Sequence, residues 1–190
     1  MKLVIITNEV LKNELIVSAN PDGVFYTPSF EDAIQVKDAD AIIDLLFTKD
    51  NSRIQMLASC LPKIIIVNSV EHTCPEIHSS FIRINGWPTL LKSTVLETAG
   101  PVEHKEEIKR IFTAFGKTVE WTPDQPGFIS ARIISCVIRE AKYAFEEGIS
   151  SKEDIDKAMK LGTSYPFGPF EWYEKIGPQR VDALLARLPK

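Results

Sequence analysis

Four runs of consecutive apolar residues constrain the first half of this chain more than any other feature. Leu3-Val4-Ile5-Ile6-Thr7, Ala41-Ile42-Ile43-Asp44-Leu45-Leu46-Phe47, Lys63-Ile64-Ile65-Ile66-Val67 and Phe81-Ile82-Arg83-Ile84 are built on consecutive apolar side chains, not alternate ones. A strand of that kind is buried on both faces, which is the pattern of a parallel sheet covered by helices on each side. Helical stretches separate the runs, over residues 8–17 and 51–61. Ser29-Phe30-Glu31-Asp32 reads as a capped helix start, with Asp32 three residues after the serine. Gly23-Val24-Phe25-Tyr26 supplies a further strand. This half reads as α/β.

The pattern changes after Pro101. That proline opens a helix carrying Ile108, Ile111, Phe112 and Phe115 and closed by Gly116, and one strand follows, Thr118-Val119-Glu120-Trp121. Beyond Pro123 and Pro126 everything reads as helix: 128–147, then a helix capped by Ser151 and ending at Gly162, then 168–175 and 179–188. The spacing predicts a domain boundary near Pro123, with an α/β unit over 1–122 and an all-α unit over 123–190. On the 128–147 helix the apolar residues from Ile129 to Phe145 fill an arc of roughly 200°, twice the stripe that one contact surface needs. Such a helix packs against two surfaces. The second is either another part of the same chain or a second copy of it. Phe170, Trp172 and Tyr173 belong either to that seam or to the core.

Charge and cysteine usage narrow the partners. The 190 residues carry a net charge of −4 with no basic run, which disfavours a nucleic-acid surface. No apolar run is long enough to cross a bilayer, and the first segment turns polar at Thr7, too soon for a signal peptide. Three widely spaced cysteines, Cys60, Cys74 and Cys136, fit reduced thiols in a cytoplasmic protein. His72, Cys74, Glu76 and His78 form a cluster of metal-ligating types, but Pro75 interrupts any helix through them, and a polar loop with no metal is expected there.

Several blocks in the second half carry a resemblance. Pro126-Gly127-Phe128-Ile129, a long helix ending Glu146-Glu147-Gly148, then Glu153-Asp154-Ile155-Asp156 and Tyr165-Pro166-Phe167-Gly168-Pro169-Phe170-Glu171 follow one another at spacings that resemble the C-terminal domain of the 3-hydroxyacyl-CoA dehydrogenases. The segment from Ala39 to Asp44, through 63–68 and on to Pro88, is similar to the second half of that family's nucleotide-binding domain. The resemblance implies a truncated Rossmann-like parallel-sheet domain followed by the family's helical domain. It also implies hydride transfer between NAD and a 3-hydroxyacyl thioester, which needs a pyrophosphate cradle, a general base and groups that hold the carbonyl.

Matched position by position, most of that machinery is replaced. Thr7, Glu9 and Lys12 stand where the family's Gly-x-Gly-x-x-Gly turn has its three glycines, so side chains and a carboxylate meet the space of the pyrophosphate. Lys12 alone could hold one phosphate. Nine glycines occur in the chain, and only Gly23 lies in the first 85 residues. No acidic residue closes the second strand to hold a ribose, since Tyr26-Thr27-Pro28 follows it. Asn85 stands at the position of the family's basic histidine, and Glu97 at that of the glutamate that orients it. The family's serine falls on Val70 or, with a slip of one residue, on Ser69, and its asparagine is replaced by Ala131.

A carboxamide accepts no proton near neutral pH, so Asn85 is limited to hydrogen bonding a substrate oxygen. Glu97 without its histidine reads more simply as a solvated or structurally paired carboxylate than as a catalytic one. The expectation is a 3-hydroxyacyl-CoA dehydrogenase-like protein without a NAD cofactor or dehydrogenase activity. Such a protein serves as an acyl-CoA-binding or oligomerisation module and forms a homodimer through the helical domain. Two alternatives stand beside it. One is an active NAD-dependent oxidoreductase using Glu97 or His72 as base. The other is a regulatory partner of a full-length dehydrogenase.

Overall fold

The computed structural model describes residues 1–18 and 20–189, and the chain divides into two compact units, Met1–Phe128 and Ile129–Lys190. The first is a seven-stranded sheet with helices on both faces. Its strands are β1 (Leu3–Ile6), β2 (Val24–Thr27), β3 (Ala41–Asp44), β4 (Ile64–Asn68), β5 (Ile82–Ile84), β6 (Val95–Ala99) and β7 (Thr118–Trp121), in the spatial order β2-β1-β3-β4-β5-β6-β7. All neighbours run parallel except β5 and β6, which pair antiparallel through Arg83 with Ala99 and Ile84 with Thr98. The helices of this unit are α1 (Glu9–Leu15), α2 (Phe30–Gln35), α3 (Asn51–Ala58), α4 (Cys74–Ile77) and α5 (Lys105–Thr113).

The continuous apolar runs work as expected. Leu3 and Ile5 of β1 join one buried cluster, with Leu15, Ile43, Ile66 and Phe112, while Val4 and Ile6 join the other, with Phe30, Leu57, Ile65 and Phe81. Successive side chains of a strand point to opposite faces, so each run feeds two cores at once. Asn8, Ser29 and Asp50 cap α1, α2 and α3 by accepting from the backbone N–H of Leu11, Asp32 and Arg53.

Two elements depart from the residue pattern. Strand β6 is Val95-Leu96-Glu97-Thr98-Ala99, whose polar Glu97 and Thr98 are buried, so it lacks the apolar run that marks its neighbours. The expected polar loop around Cys74 contains the single turn α4, started by a capping box in which the Glu76 carboxylate accepts from Thr73 N at 2.8 Å. Pro75 lies in the first turn of α4, where a proline removes no helical hydrogen bond.

The second unit contains α6 (Ser130–Glu146), α7 (Lys152–Thr163), α8 (Pro169–Ile176) and α9 (Pro178–Leu185). Phe128, the expected first residue of α6, has a φ of +49° and lies outside the helix. Helix α6 buries Ala131, Ile134, Ser135, Ile138 and Ala141 along one stripe. Ile129 and Ile133, from the rest of the apolar arc, remain 51% and 52% exposed. Trp172 is buried core, with Tyr165 and Phe167 edge-on against it at 5.2 and 6.2 Å between ring centres. No helix among the described residues is long and apolar enough to cross a membrane.

Candidate functional site

In open α/β sheets the ligand crevice lies outside the carboxyl ends of the strands, where the strand order reverses. Here the chain leaves β1 for β2 on one side and returns to β3 on the other, so the turn after β1 faces that point. Thr7 is buried in this turn. Its N–H donates to Thr27 O at 2.9 Å and its hydroxyl to Asn8 O at 3.0 Å. The Asn8 carboxamide oxygen accepts from Leu11 N at 2.9 Å, closing the start of α1 with the chain's own side chain. Glu9 is 81% exposed and stands in solvent, not in the turn. Lys12 Nζ lies 3.5 Å from the Glu9 carboxylate and 4.9 Å from the centre of the Tyr26 ring.

The end of β3 carries a pair that the sequence did not single out. Asp44 is fully buried and gripped by both arms of Arg53, Nε to Oδ2 at 2.7 Å and Nη2 to Oδ1 at 2.8 Å. The guanidinium of Arg53 lies 5.0 Å from the centre of the Phe30 ring. Burial raises the Asp44 carboxyl above its ordinary range, with Arg53 pulling the other way. The one available sequence signal was an aspartate interrupting an otherwise apolar run.

Asn68, Ser69 and Asn85 stand at the carboxyl ends of the paired strands β4 and β5. Asn68 spends its whole amide on the backbone: Nδ2 donates to Leu45 O at 3.1 Å and Gly86 O at 2.9 Å, and Oδ1 accepts from Gly86 N at 3.0 Å. Gly86 is required there, since a Cβ would lie 2.7 Å from Asn68 Cγ. The Ser69 hydroxyl donates to His72 O at 3.1 Å. Asn85 Nδ2 donates to Glu97 Oε2 at 2.7 Å, and Asn85 N donates to Glu97 O at 3.0 Å. Asn85 and Glu97 are only 3% and 7% exposed. Among the described residues Asn85 Oδ1 has no hydrogen-bond partner. The arrangement therefore pairs Asn85 with Glu97 and leaves one buried acceptor.

Arg83, unmarked in the sequence, is a buried and heavily engaged cation of this unit. It is fully buried on β5 and donates to His72 O and to Gln125 O, the latter at 2.9 Å. Its Nε forms an ion pair with Asp124 Oδ1 at 3.1 Å, and the guanidinium lies 4.3 Å from the centre of the Phe128 ring. Burial pulls its pKa below the ordinary value against the opposing pull of Asp124.

The residues of the His72–His78 cluster have separate engagements. Glu76 closes the capping box, and His78 stacks on Phe81 with ring centres 4.6 Å apart. Among the described residues no group of three such side chains is placed to hold a metal. The Cys74 thiol points at Phe81 O at 3.4 Å, and burial, reinforced by Asp124, pushes its pKa up to about 12. Only the thiolate reacts. In native protein at pH 8, iodoacetamide is therefore expected to label Cys60 and Cys136, which are partly exposed, and to spare Cys74 until the chain is unfolded. Peptide mass mapping checks this, and early labelling of Cys74 would contradict the burial.

Comparisons with known proteins agree with this architecture. Residues 127–189 match the family model described as the C-terminal domain of 3-hydroxyacyl-CoA dehydrogenase. A 73-residue segment is 44% identical to 3-hydroxyadipyl-CoA dehydrogenase of Escherichia coli K12, covering 38% of this chain and 15% of that protein. Over 162 residues the chain is 30% identical to 3-hydroxybutyryl-CoA dehydrogenase of Clostridioides difficile, covering 83% of this chain and 54% of the relative. The chain thus spans about half of that relative's length. The crystal structure of (S)-3-hydroxybutyryl-CoA dehydrogenase from Ralstonia eutropha superposes with a TM-score of 0.68 at 21% identity, over 86% of this chain and 62% of that one. Residues 127–189 thus belong to the 3-hydroxyacyl-CoA dehydrogenase family as its C-terminal domain, and most of the chain shares the fold of these enzymes.

Proposed function

We propose that this chain carries out no NAD-dependent hydride transfer and serves as an acyl-CoA-binding module that pairs with a second copy through its helical unit. The observation that carries this reading is the amide pair. At the matched position of the general base stands Asn85, bound at 2.7 Å to Glu97, and a carboxamide cannot take the hydroxyl proton that oxidation must remove. The turn after β1 supports it independently. A dinucleotide needs backbone N–H groups free at a helix start and room for a pyrophosphate. Here Asn8 caps the helix, no glycine occurs between Gly23 and the start of the chain, and Lys12 is shared with Glu9 and Tyr26. These residues do not fit the cofactor. Ser69 and Asn85, at the carboxyl ends of the paired strands β4 and β5, are the groups proposed to meet the ligand. The exposed Ile133 on α6 and Ile129 just before it favour the pairing of two copies.

Thermal melts and an absorbance assay test the reading together. Millimolar NADH is expected to leave the midpoint unchanged, whereas a short acyl-CoA present at about 100 times its dissociation constant stabilises by about 2.7 kcal/mol. No NADH oxidation is expected with acetoacetyl-CoA, in the native chain or in Asn85→His. A shift of several degrees with NADH, or turnover by either protein, would overturn the proposal.

A further inference from the structure

We propose that the helical unit carries a separate site, a groove between α6, α7 and α8 that takes a small organic cation with a guanidinium head. The groove lies wholly within that unit, so the proposal does not depend on the acyl-CoA reading. It holds about 550 Å³, the size of a small-molecule site. Two rings form its apolar part, Phe145 from the last turn of α6 and Phe170 from the first turn of α8, edge to face with centres 6.1 Å apart. Phe170 N donates to the Asp156 carboxylate at 2.8 Å, which anchors the backbone beneath that ring. The Lys152 ammonium lies over both rings, 4.9 Å from the centre of Phe145 and 5.4 Å from that of Phe170. Among the described residues that ammonium has no hydrogen-bond or ion-pair partner, so the ring faces are what hold it. A tethered cation already occupies the place of a ligand's cation.

The rim sets the sign of the charge. Each helix contributes one exposed carboxylate, Glu146, Glu153 and Glu174, and among the described residues none of the three side chains is hydrogen-bonded or ion-paired. The other charges along the groove are already spent. Lys142 donates to Tyr173 Oη and Asp182, and Lys175 lies 5.0 Å from the centre of the Phe167 ring. Asp156 caps α8, and Glu171 pairs with Lys160. Three carboxylates therefore stand free against one movable lysine. Glu146 and Glu174 also lie in last turns, where the helix dipole disfavours a carboxylate and adds to the pull on a cation. The head group follows from what must be displaced. A free primary ammonium only matches Lys152, which has the advantage of its tether. A quaternary ammonium covers the rings but donates nothing to the carboxylates. A guanidinium does both: its weakly hydrated plane stacks on a ring while its N–H groups reach the rim.

Titration of the full chain with propylguanidinium and propylammonium, followed by NMR of the phenylalanine rings, tests this. Phe145→Leu and Phe170→Leu assign the two ring signals, and circular dichroism checks that each variant folds. Propylguanidinium is expected to shift both rings saturably and to bind about fivefold more tightly than propylammonium. Lys152→Ala vacates the rings and should tighten binding by about threefold or more. Phe145 is 42% exposed, so Phe145→Leu leaves the core intact and should weaken binding about fivefold. Glu146→Gln with Glu153→Gln should weaken it too and reduce its dependence on salt. No saturable shift even in Lys152→Ala, equal binding of the two cations, or indifference to Phe145→Leu would each overturn the proposal. All of these outcomes leave the acyl-CoA reading untouched, since thermal melts with acyl-CoA decide that separately.

Discussion

Arg83→Met is expected to destabilise the first unit by about 3 kcal/mol, the lower end of the range for removing one partner of a buried ion pair. Methionine is close to arginine in length and can still pack on Phe128, so little of the loss comes from an empty cavity. The cost comes from the groups left behind. The carbonyls of His72 and Gln125 each lose the Arg83 donor, His72 keeping the Ser69 hydroxyl, and Asp124 loses its counter-charge. Asp124 is 27% exposed, so water recovers part of its solvation, which argues for the lower end. Because Asp124 also accepts from Cys74 N at 2.9 Å, three segments of chain loosen at once. Urea unfolding measures the effect, and a loss below about 1 kcal/mol would place Arg83 among ordinary surface cations. The double variant Arg83→Met with Asp124→Leu should recover some of the stability, since no uncompensated charge then remains.

Arg83 also marks the limit of what the sequence disclosed. An arginine between two isoleucines reads as the polar side of a strand, and nothing local says that its partners lie at 72, 124 and 125. The same holds for Asp44 and Arg53, and for Glu97 on β6. These are polar groups buried by long-range pairing, and periodicity detects only burial of apolar side chains. Continuous apolar runs, by contrast, announced β1, β3 and β4 directly, and Ser29 and Ser151 announced their helices by capping chemistry that is local in sequence. Asn85 was found by its match to a family position. Its bond to Glu97, and with it the spare acceptor, needed the structure. The turn after β1 was legible in composition, although Glu9 was expected inside the turn and stands in solvent.

Gly168→Ala is expected to destabilise the helical unit by about 2–4 kcal/mol, since it endangers two hydrogen bonds to a charged group. Gly168 precedes α8 and has no side chain with which to cap it. The cap comes from α7: the Asp156 carboxylate accepts from Phe170 N at 2.8 Å and from Glu171 N at 3.1 Å. A Cβ on residue 168 would lie 2.3 Å from Asp156 Cβ, Cγ and Oδ1, and Asp156 is itself only 8% exposed. The carboxylate must then withdraw and two N–H groups at the start of α8 lose a negatively charged acceptor. The double variant separates this from a generic effect of alanine. Once Asp156→Ala has removed the carboxylate, Gly168→Ala has space and should cost little more, so the pair must be strongly non-additive in thermal unfolding. Additive losses would refute the shared cap. Asp156 and Gly168 both belong to the blocks through which the family is recognised, 153–156 and 165–171. Their roles here are to cap and pack α8, while the positions proposed to match the family's catalytic pair, 85 and 97, lie on another unit. The resemblance is strongest where the residues hold the helices together, so it transmits the fold with fidelity and leaves the reaction to be decided at Asn85.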